Sequence, residues 1–367
     1  MAEHFDTVVI GAGQAGLAAG YHLASHGRAF VILEAADRVG GSWLTRWDSV
    51  RLFTPATHDG LPGMRFPGGY RFPTRAEMVD YLSAYARRFS LPVRTGVHVD
   101  GLVREGGRFV VTAGAQSYAA DNVIVATGPH HTPHTPDFAD ALAPNVLQLH
   151  AAEYRNPTQL RPGPVLVVGA GNSGADIAVE LAATHPVLLA GRHPGHLKIR
   201  IESRTSRALF PLFWFAWTKI LTVGTPVGRR VRRELLGGHG EQLVRIKPED
   251  IDAARIVRTA RIVGVTDGLP VTEDGGTLDV RNVIWATGFR PDFGWIDLPG
   301  LDTSGRLPDE RGRVLGQPGL YVLGQTFQRS YASDTVGGVG DDASHVVRDL
   351  VRRTADDGAR VPVSVAA

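Results

Sequence analysis

The 367-residue chain contains no cysteine, only 3 methionines and only three lysines, Lys198, Lys219 and Lys247. Without thiols there is no disulfide framework, no cysteine metal site, no thiol nucleophile and no CxxC redox pair. An excess of one charge is also missing. Lys+Arg 39 against Asp+Glu 37 leaves a formal net charge of +2, so a pI near 9.0 does not mark a nucleic-acid partner. No apolar run reaches the roughly 20 residues of a spanning helix. The most apolar stretch, 209–223, is interrupted by Pro211 and Lys219. The opening MAEHFDTVVIGAG has no basic region ahead of a long apolar core, and a cytoplasmic location is expected. The sequence shows no Ser/His/Asp pattern, no clustered metal ligands and no motif of paired carboxylates. No metal is therefore expected, and difficult chemistry falls to a bound cofactor. A hydrophobic share of 43% and a charged share of 21% fit a globular protein long enough for two domains.

What the chain does contain is one pattern written twice. GAGQAG (residues 11–16) follows the apolar run 7–10, and GAGNSG (169–174) follows 165–168. Each opens a predicted helix, 14–25 and 172–183, and leads to a second apolar run, 29–33 and 187–190. In such a strand, glycine turn, helix and strand, the first glycine permits the tight turn. The second lets the backbone approach a pyrophosphate, and the third lets helix and strand pack closely. The copies differ where the second strand reaches the ribose. Twenty-three residues after Gly11 stands Glu34, and twenty-three after Gly169 stands Arg192. A carboxylate accepts hydrogen bonds from ribose hydroxyls and repels a 2′-phosphate, whereas a guanidinium grips that phosphate. Glu34 suits FAD or NAD, and Arg192 suits NADP.

The duplication extends further. A strand at 123–125 runs into Ala126-Thr127-Gly128, and one at 283–285 runs into Ala286-Thr287-Gly288, at nearly equal distances from Gly11 and Gly169. Proline-rich connections at 129–136 and 156–164 separate the units. The second unit reads as an insertion, after which the first resumes with a strand at 319–323 and a helix at about 341–353 behind Gly337-Gly338-Val339-Gly340.

Further residues identify a family. RVGGSW (38–43), both ATG triplets, the two glycine turns and WATGFRPD (285–292) together resemble the flavin-containing monooxygenases, among the class B flavoprotein monooxygenases, over essentially the whole chain. The linker signature FxGxxxHxxxY of that family matches here only at His150 and Tyr154, with Pro144 and Val146 in place of phenylalanine and glycine. The resemblance implies an α/β fold of two Rossmann-like domains. The FAD-binding domain (1–160 and 286–367) is discontinuous, and an NADP-binding domain (161–285) is inserted in it. The expected cofactor contacts are Gly11, Gly13, Gln14, Ala15, Gly16, Glu34, Gly41, Ser42, Trp43, Val99, Thr127, Gly128 and Gly338 in the first domain. In the second they are Gly169, Gly171, Asn172, Ser173, Gly174 and Arg192, and just past its boundary, where the first domain resumes, Thr287 and Gly288.

The implied activity is an FAD-dependent, NADPH-consuming monooxygenase that moves one atom of molecular oxygen through a C4a-(hydro)peroxyflavin to an amine, sulfide or ketone. Two other readings stand beside it. One is a flavoprotein reductase handing electrons to a protein or quinone without oxygenation, and the other is a dinucleotide-binding sensor. The catalytic candidates are Thr54 and His58, on a loop expected beside the flavin, with His150 and Tyr154. Thr54 and His58 have a plainer alternative as residues that hold the loop, and His150 as an interdomain hydrogen-bonding residue. The segment 209–223 reads as a buried helix, a wall of the substrate channel or a surface touching a membrane.

Overall fold

The computed structural model describes residues 3–130, 132–237 and 242–360, with side chains as far as residue 355. The first repeat folds as strand Glu3–Ile10, helix Gln14–Ser25 and strand Phe30–Leu33, and the second as Val165–Val168, Asn172–Leu181 and Val187–Ala190. The two repeats seed two sheets. In the first, of nine strands, Glu3–Ile10 lies between Phe30–Leu33 and Gln116–Val125, all parallel, and Val93–Arg94 extends the Phe30–Leu33 side. The hairpin Gly101–Glu105 and Arg108–Ala113 joins through Gln116–Val125. The second sheet has five strands, all parallel, in the order Val257–Thr259, Val187–Ala190, Val165–Val168, Asn282–Trp285, Leu147–His150.

Parallel sheets need cover on both faces, which is why their strands are unbroken apolar runs rather than alternations. Val8, Val9, Ile32, Val165, Leu166 and Val167 are all fully buried, and two core clusters flank each sheet. Removing each such side chain from water contributes roughly 1.5–3 kcal/mol.

The returning segment completes the first sheet. Leu320–Val322 pairs in parallel with Val123–Val125, and helix Val339–Arg360 packs against Gln14–Ser25. The second unit is thus enclosed within the first in sequence. One strand departs from the expected boundary. Leu147–His150 lies within the range 1–160 given to the first domain, yet it pairs with Asn282–Trp285 at the edge of the second sheet. Its half-apolar sequence LQLH fits an edge position.

Candidate cofactor and substrate site

Both glycine turns have the same backbone construction. Gly11 and Gly169 adopt φ of +105° and +113°, and a Cβ on either would lie 2.6 or 2.2 Å from the carbonyl oxygen of Ala126 or Ala286. Those alanines begin the two ATG triplets, so the triplet's role in both units is to run directly under the turn. A Cβ on Gly16 or Gly174 would come within 1.9 or 1.8 Å of the carbonyl oxygen of Gly11 or Gly169, which forces glycine where helix meets strand. The middle glycines differ in kind. Gly13 and Gly171 have extended φ,ψ open to any residue, and a Cβ there would meet nothing within 4 Å. Packing does not require glycine at either position. Each is the N-cap of its helix, and no side chain caps it. Open space before an uncapped helix N-terminus fits a pyrophosphate.

At the ribose end of the first unit, Glu34 reaches back over the turn. Its Oε2 accepts from Ala12 N at 2.6 Å and its Oε1 from Ala36 N at 2.9 Å. The carboxylate is thereby fixed beside the glycine turn with acceptor capacity remaining. In the second unit Arg192 is exposed just beyond the strand end, after Gly191 at φ +126°. Sequence reasoning missed Arg258, exposed on the neighbouring strand opposite Leu189. Burial, with Arg258 and His196 nearby, pushes the pKa of His193 down, and its buried Nε2 has no partner among the described residues. This basic group fits a 2′-phosphate. Ser173 is half-buried at the helix start. Asn172 has an anchoring task, donating to Gln242 O at 3.2 Å and accepting from Val244 N at 2.9 Å.

Around the first turn, Gly41 starts the short helix Gly41–Leu44, with Ser42 exposed and Trp43 packed on the first-unit core. Val99 packs on the opposite face of the same sheet. Gly128 has φ +79° with open space beside it, and Thr127 is exposed at the strand end. Thr287 Oγ1 donates to His134 O. Gly338 has no room for a side chain, its Cβ position lying 1.9 Å from Ala332 O, and its N–H donates to Thr335 Oγ1.

The catalytic candidates separate into two groups. His150 is 4% exposed; its Nε2 donates to Gly288 O at 3.0 Å and its Nδ1 accepts from Ala152 N at 3.1 Å. Both ring nitrogens are thus committed to backbone, and burial pushes the pKa down. Tyr154 is fully buried and bonds Glu180 Oε2 at 2.8 Å. These bonds fit the structural alternative given for His150, with both residues buried within the interior. Thr54 and His58 belong to a different place. His58 lays its ring 4.7 Å from Phe210 and 5.2 Å from Trp214, and burial keeps its pKa below the ordinary value. Thr54 is buried and donates to Asp59, a residue absent from the sequence-based set because nothing in THDGLPG signals a buried acid.

Trp214 also lines a cavity of about 360 Å³ with Pro211, Phe215, Lys219, Gly337 and Asp341. Its wall is the expected apolar segment, seen as helix Arg204–Phe215 continued by a π turn Ala216–Ile220. The segment is two-sided rather than an ordinary buried helix. Phe210 faces inward at 3% exposure, while Leu212 and Phe215 are 62% and 53% exposed. Among the described residues no helix is long and apolar enough to cross a membrane. No three His, Asp or Glu side chains there are grouped as metal ligands would be.

Arg245 ties the two units together. It donates to Leu52 O at 2.8 Å, approaches Asp176 at 3.5 Å, and lies 5.4 Å above the Phe53 ring, so the loop carrying Thr54 is held by the second unit.

This geometry agrees with the chain's relatives. A family model described as pyridine nucleotide-disulphide oxidoreductase matches residues 8–212. An uncharacterized CzcO-like oxidoreductase of Geobacillus kaustophilus is 39% identical over 94% of this chain and 98% of its own length. A probable indole-3-pyruvate monooxygenase, YUCCA1 of Arabidopsis thaliana, is 33% identical over 94% and 92%. Among solved structures, a flavin-containing monooxygenase from Stenotrophomonas maltophilia superposes with a TM-score of 0.74 at 29% identity, covering 96% of this chain and 99% of that one. With no cysteine, the disulfide half of the family's description has no chemistry to rest on in this chain. The chain therefore belongs to the pyridine nucleotide-disulphide oxidoreductase family and, within it, to the flavin-containing monooxygenases.

Proposed function

We propose that the chain is an FAD-dependent, NADPH-consuming monooxygenase that transfers one atom of molecular oxygen to a small organic amine, sulfide or ketone. The observation that carries this reading is the paired geometry of Gly13 and Gly171, each an open glycine before an uncapped helix, combined with opposite charge at Glu34 and Arg192. One site takes a diphosphate with an unmodified ribose; the other takes a diphosphate whose ribose bears a phosphate.

Bound flavin would accept the reducing equivalents of NADPH and react with oxygen; the protein supplies binding, orientation and electrostatics. Glu34 would hold FAD's ribose hydroxyls while remaining fixed by the Ala12 and Ala36 N–H groups. Arg192, joined by Arg258, would neutralise the 2′-phosphate. Phe210 and Trp214 would keep water from the reacting centre, and His58, held below its ordinary pKa by burial, adds no charge to this aromatic cluster. In this reading the second unit runs from about Leu147 to Trp285, taking in the edge strand.

Screening NADPH consumption over amines, sulfides and ketones, with isotopic oxygen followed into the product, tests the proposal. If the electrons emerge only as hydrogen peroxide across the panel, or pass faster without oxygen to a quinone or protein acceptor, the reductase reading replaces it.

A further inference from the structure

Residues 204–236 hold seven arginine and lysine side chains against a single acid, Glu234, a net charge of +6 in a chain whose total is +2. The same span holds six of the ten large apolar side chains that are exposed among the described residues: Leu209, Leu212, Phe215, Ile220, Val227 and Leu236. Apolar side chains scattered singly over a surface need no explanation, but a group of six set among arginines marks a contact surface.

The span folds as the helix Arg204–Phe215 with its π turn, a connection at 221–225, and the helix Pro226–Leu236. Both helices are pinned to one strip of the first domain. Thr222 forms a β-bridge with Ser330, and Val223 N donates to Arg329 O and Tyr331 N to Leu221 O, each at 2.9 Å. Trp217 sets its ring 5.4 Å from that of Tyr331, and Arg232 Nε donates to Phe327 O at 3.1 Å. With residues 327–331 beneath both helices, their outward sides face away from the protein together. On the first helix that side carries Leu209, Leu212 and Phe215 at intervals of three, and on the second Val227, Arg230, Arg233 and Leu236 at the same interval, all exposed.

The cations of this face are not consumed by the fold. Arg204, Arg207 and Arg233 are exposed and make no ion pair among the described residues. Lys219 with Asp341 and Arg230 with Glu234 pair only at the surface, where water and salt weaken the contact. An anionic bilayer surface answers both features, its acyl chains taking the apolar side chains and its phosphates the arginines. A second copy docked through the same face would set +6 against +6. A nucleic acid would meet the arginines and leave the aliphatic side chains in water.

We propose that the outward face of residues 204–236 docks on an anionic lipid bilayer, lying in its interface without spanning it. Pro211 and Phe215, exposed on this face, also line the cavity of about 360 Å³, so the docked surface adjoins it. Docking does not depend on which reaction the site carries out.

The test is sedimentation of the purified full-length protein with phosphatidylcholine vesicles, either pure or with about one-third phosphatidylglycerol. The protein should pellet with the anionic vesicles and stay largely in solution with the neutral ones. Salt at about 1 M, where the screening length falls to about 3 Å, should release most of it. Arg204→Gln and Arg233→Gln should each weaken binding to the anionic vesicles about fivefold. Leu212→Glu should weaken it about tenfold or more, because a carboxylate must enter the headgroup layer. Leu212 is 62% exposed, so this variant should melt with the parent. Val227→Glu, on the other helix, repeats the measurement if Leu212→Glu disturbs the fold. No pelleting with either vesicle, equal pelleting with both, or variants that bind like the parent overturn the proposal. Loss of binding in the arginine variants alone overturns it as well, since the partner then reads charge and not apolar surface. A parent dimer in analytical ultracentrifugation that Leu212→Glu splits gives the face to a second copy instead.

Discussion

Alanine at Gly13 separates what the first glycine turn does for folding from what it does for a cofactor. Gly13 has φ −75° and ψ −173°, which alanine adopts without strain, and the added Cβ would touch nothing within 4 Å. The folded, cofactor-free chain should therefore change in stability by no more than about 1 kcal/mol, because alanine narrows the unfolded ensemble but is a poorer N-cap than glycine. A pyrophosphate crossing that glycine meets the methyl directly. Losing two charge-assisted hydrogen bonds from the helix N-terminus, at roughly 1.5–3 kcal/mol each, weakens FAD binding by about 10²–10⁴-fold. Gly16→Ala is the control with the opposite signature. Its Cβ would sit 1.9 Å from Gly11 O, so folding itself should fail. Urea unfolding of the cofactor-free variants measures the first quantity, and quenching of FAD fluorescence on titration measures the second. If Gly13→Ala is as stable as the parent and binds FAD equally well, the pyrophosphate does not cross this turn and the assignment of the first unit is wrong.

The other expectations concern selectivity, architecture and pH. Arg192→Ala and Arg258→Ala should each weaken NADP⁺ binding about 10- to 100-fold and leave NAD⁺ nearly unchanged, measured by calorimetry; equal loss for both nucleotides would make these arginines structural. Tyr154→Phe removes the hydrogen bond to Glu180 and should cost about 1–3 kcal/mol of stability while leaving turnover per folded enzyme intact. A large fall in turnover instead would return Tyr154 to the chemistry. Asp59 should make stability fall as pH rises. The folded chain keeps a proton that the unfolded chain releases above its ordinary value of 3.8, so the loss accumulates from there and levels off above about 8. Asp59→Asn removes that slope, and its advantage over the parent should grow with pH to on the order of 2–4 kcal/mol at pH 7. Parallel stability curves for parent and variant from pH 4 to 8 would contradict it.

Much of the architecture was legible because its determinants are local. A glycine turn between an apolar strand and a helix is complete within about 25 residues, and Glu34 and Arg192 could be compared simply because both copies keep the same spacing. The remainder depended on distant partners. Leu147–His150 reads equally well as linker or strand until Asn282–Trp285 is beside it. The segment 204–220 concealed its two sides because the outward residues Leu212 and Phe215 are as apolar as the inward Phe210 and Trp214, which erases the periodicity that would separate them. Asp59 carries no local mark at all. Its turn is covered only in the fold, where Tyr81 accepts from Leu61 N and Gly337 comes up against the His58 carbonyl. Arg258 was hidden for a similar reason, since only strand register brings it near His193.

The enclosure of one unit within the other also sets an order for biosynthesis. While the chain emerges from the ribosome, residues 147–285 can complete their five-stranded sheet, since all of its strands lie in that span. The first glycine turn emerges earlier but must wait longer. Its sheet lacks the strand Leu320–Val322 until the last part of translation, and the helix Gln14–Ser25 stays uncovered until Val339–Arg360 arrives. The earliest-synthesised nucleotide site is therefore the last to mature, and a nascent chain would acquire its grip on NADPH before its grip on FAD. Truncation within the final helix should accordingly release flavin while sparing the inner unit, so an incomplete polypeptide would be colourless rather than a source of uncoupled peroxide.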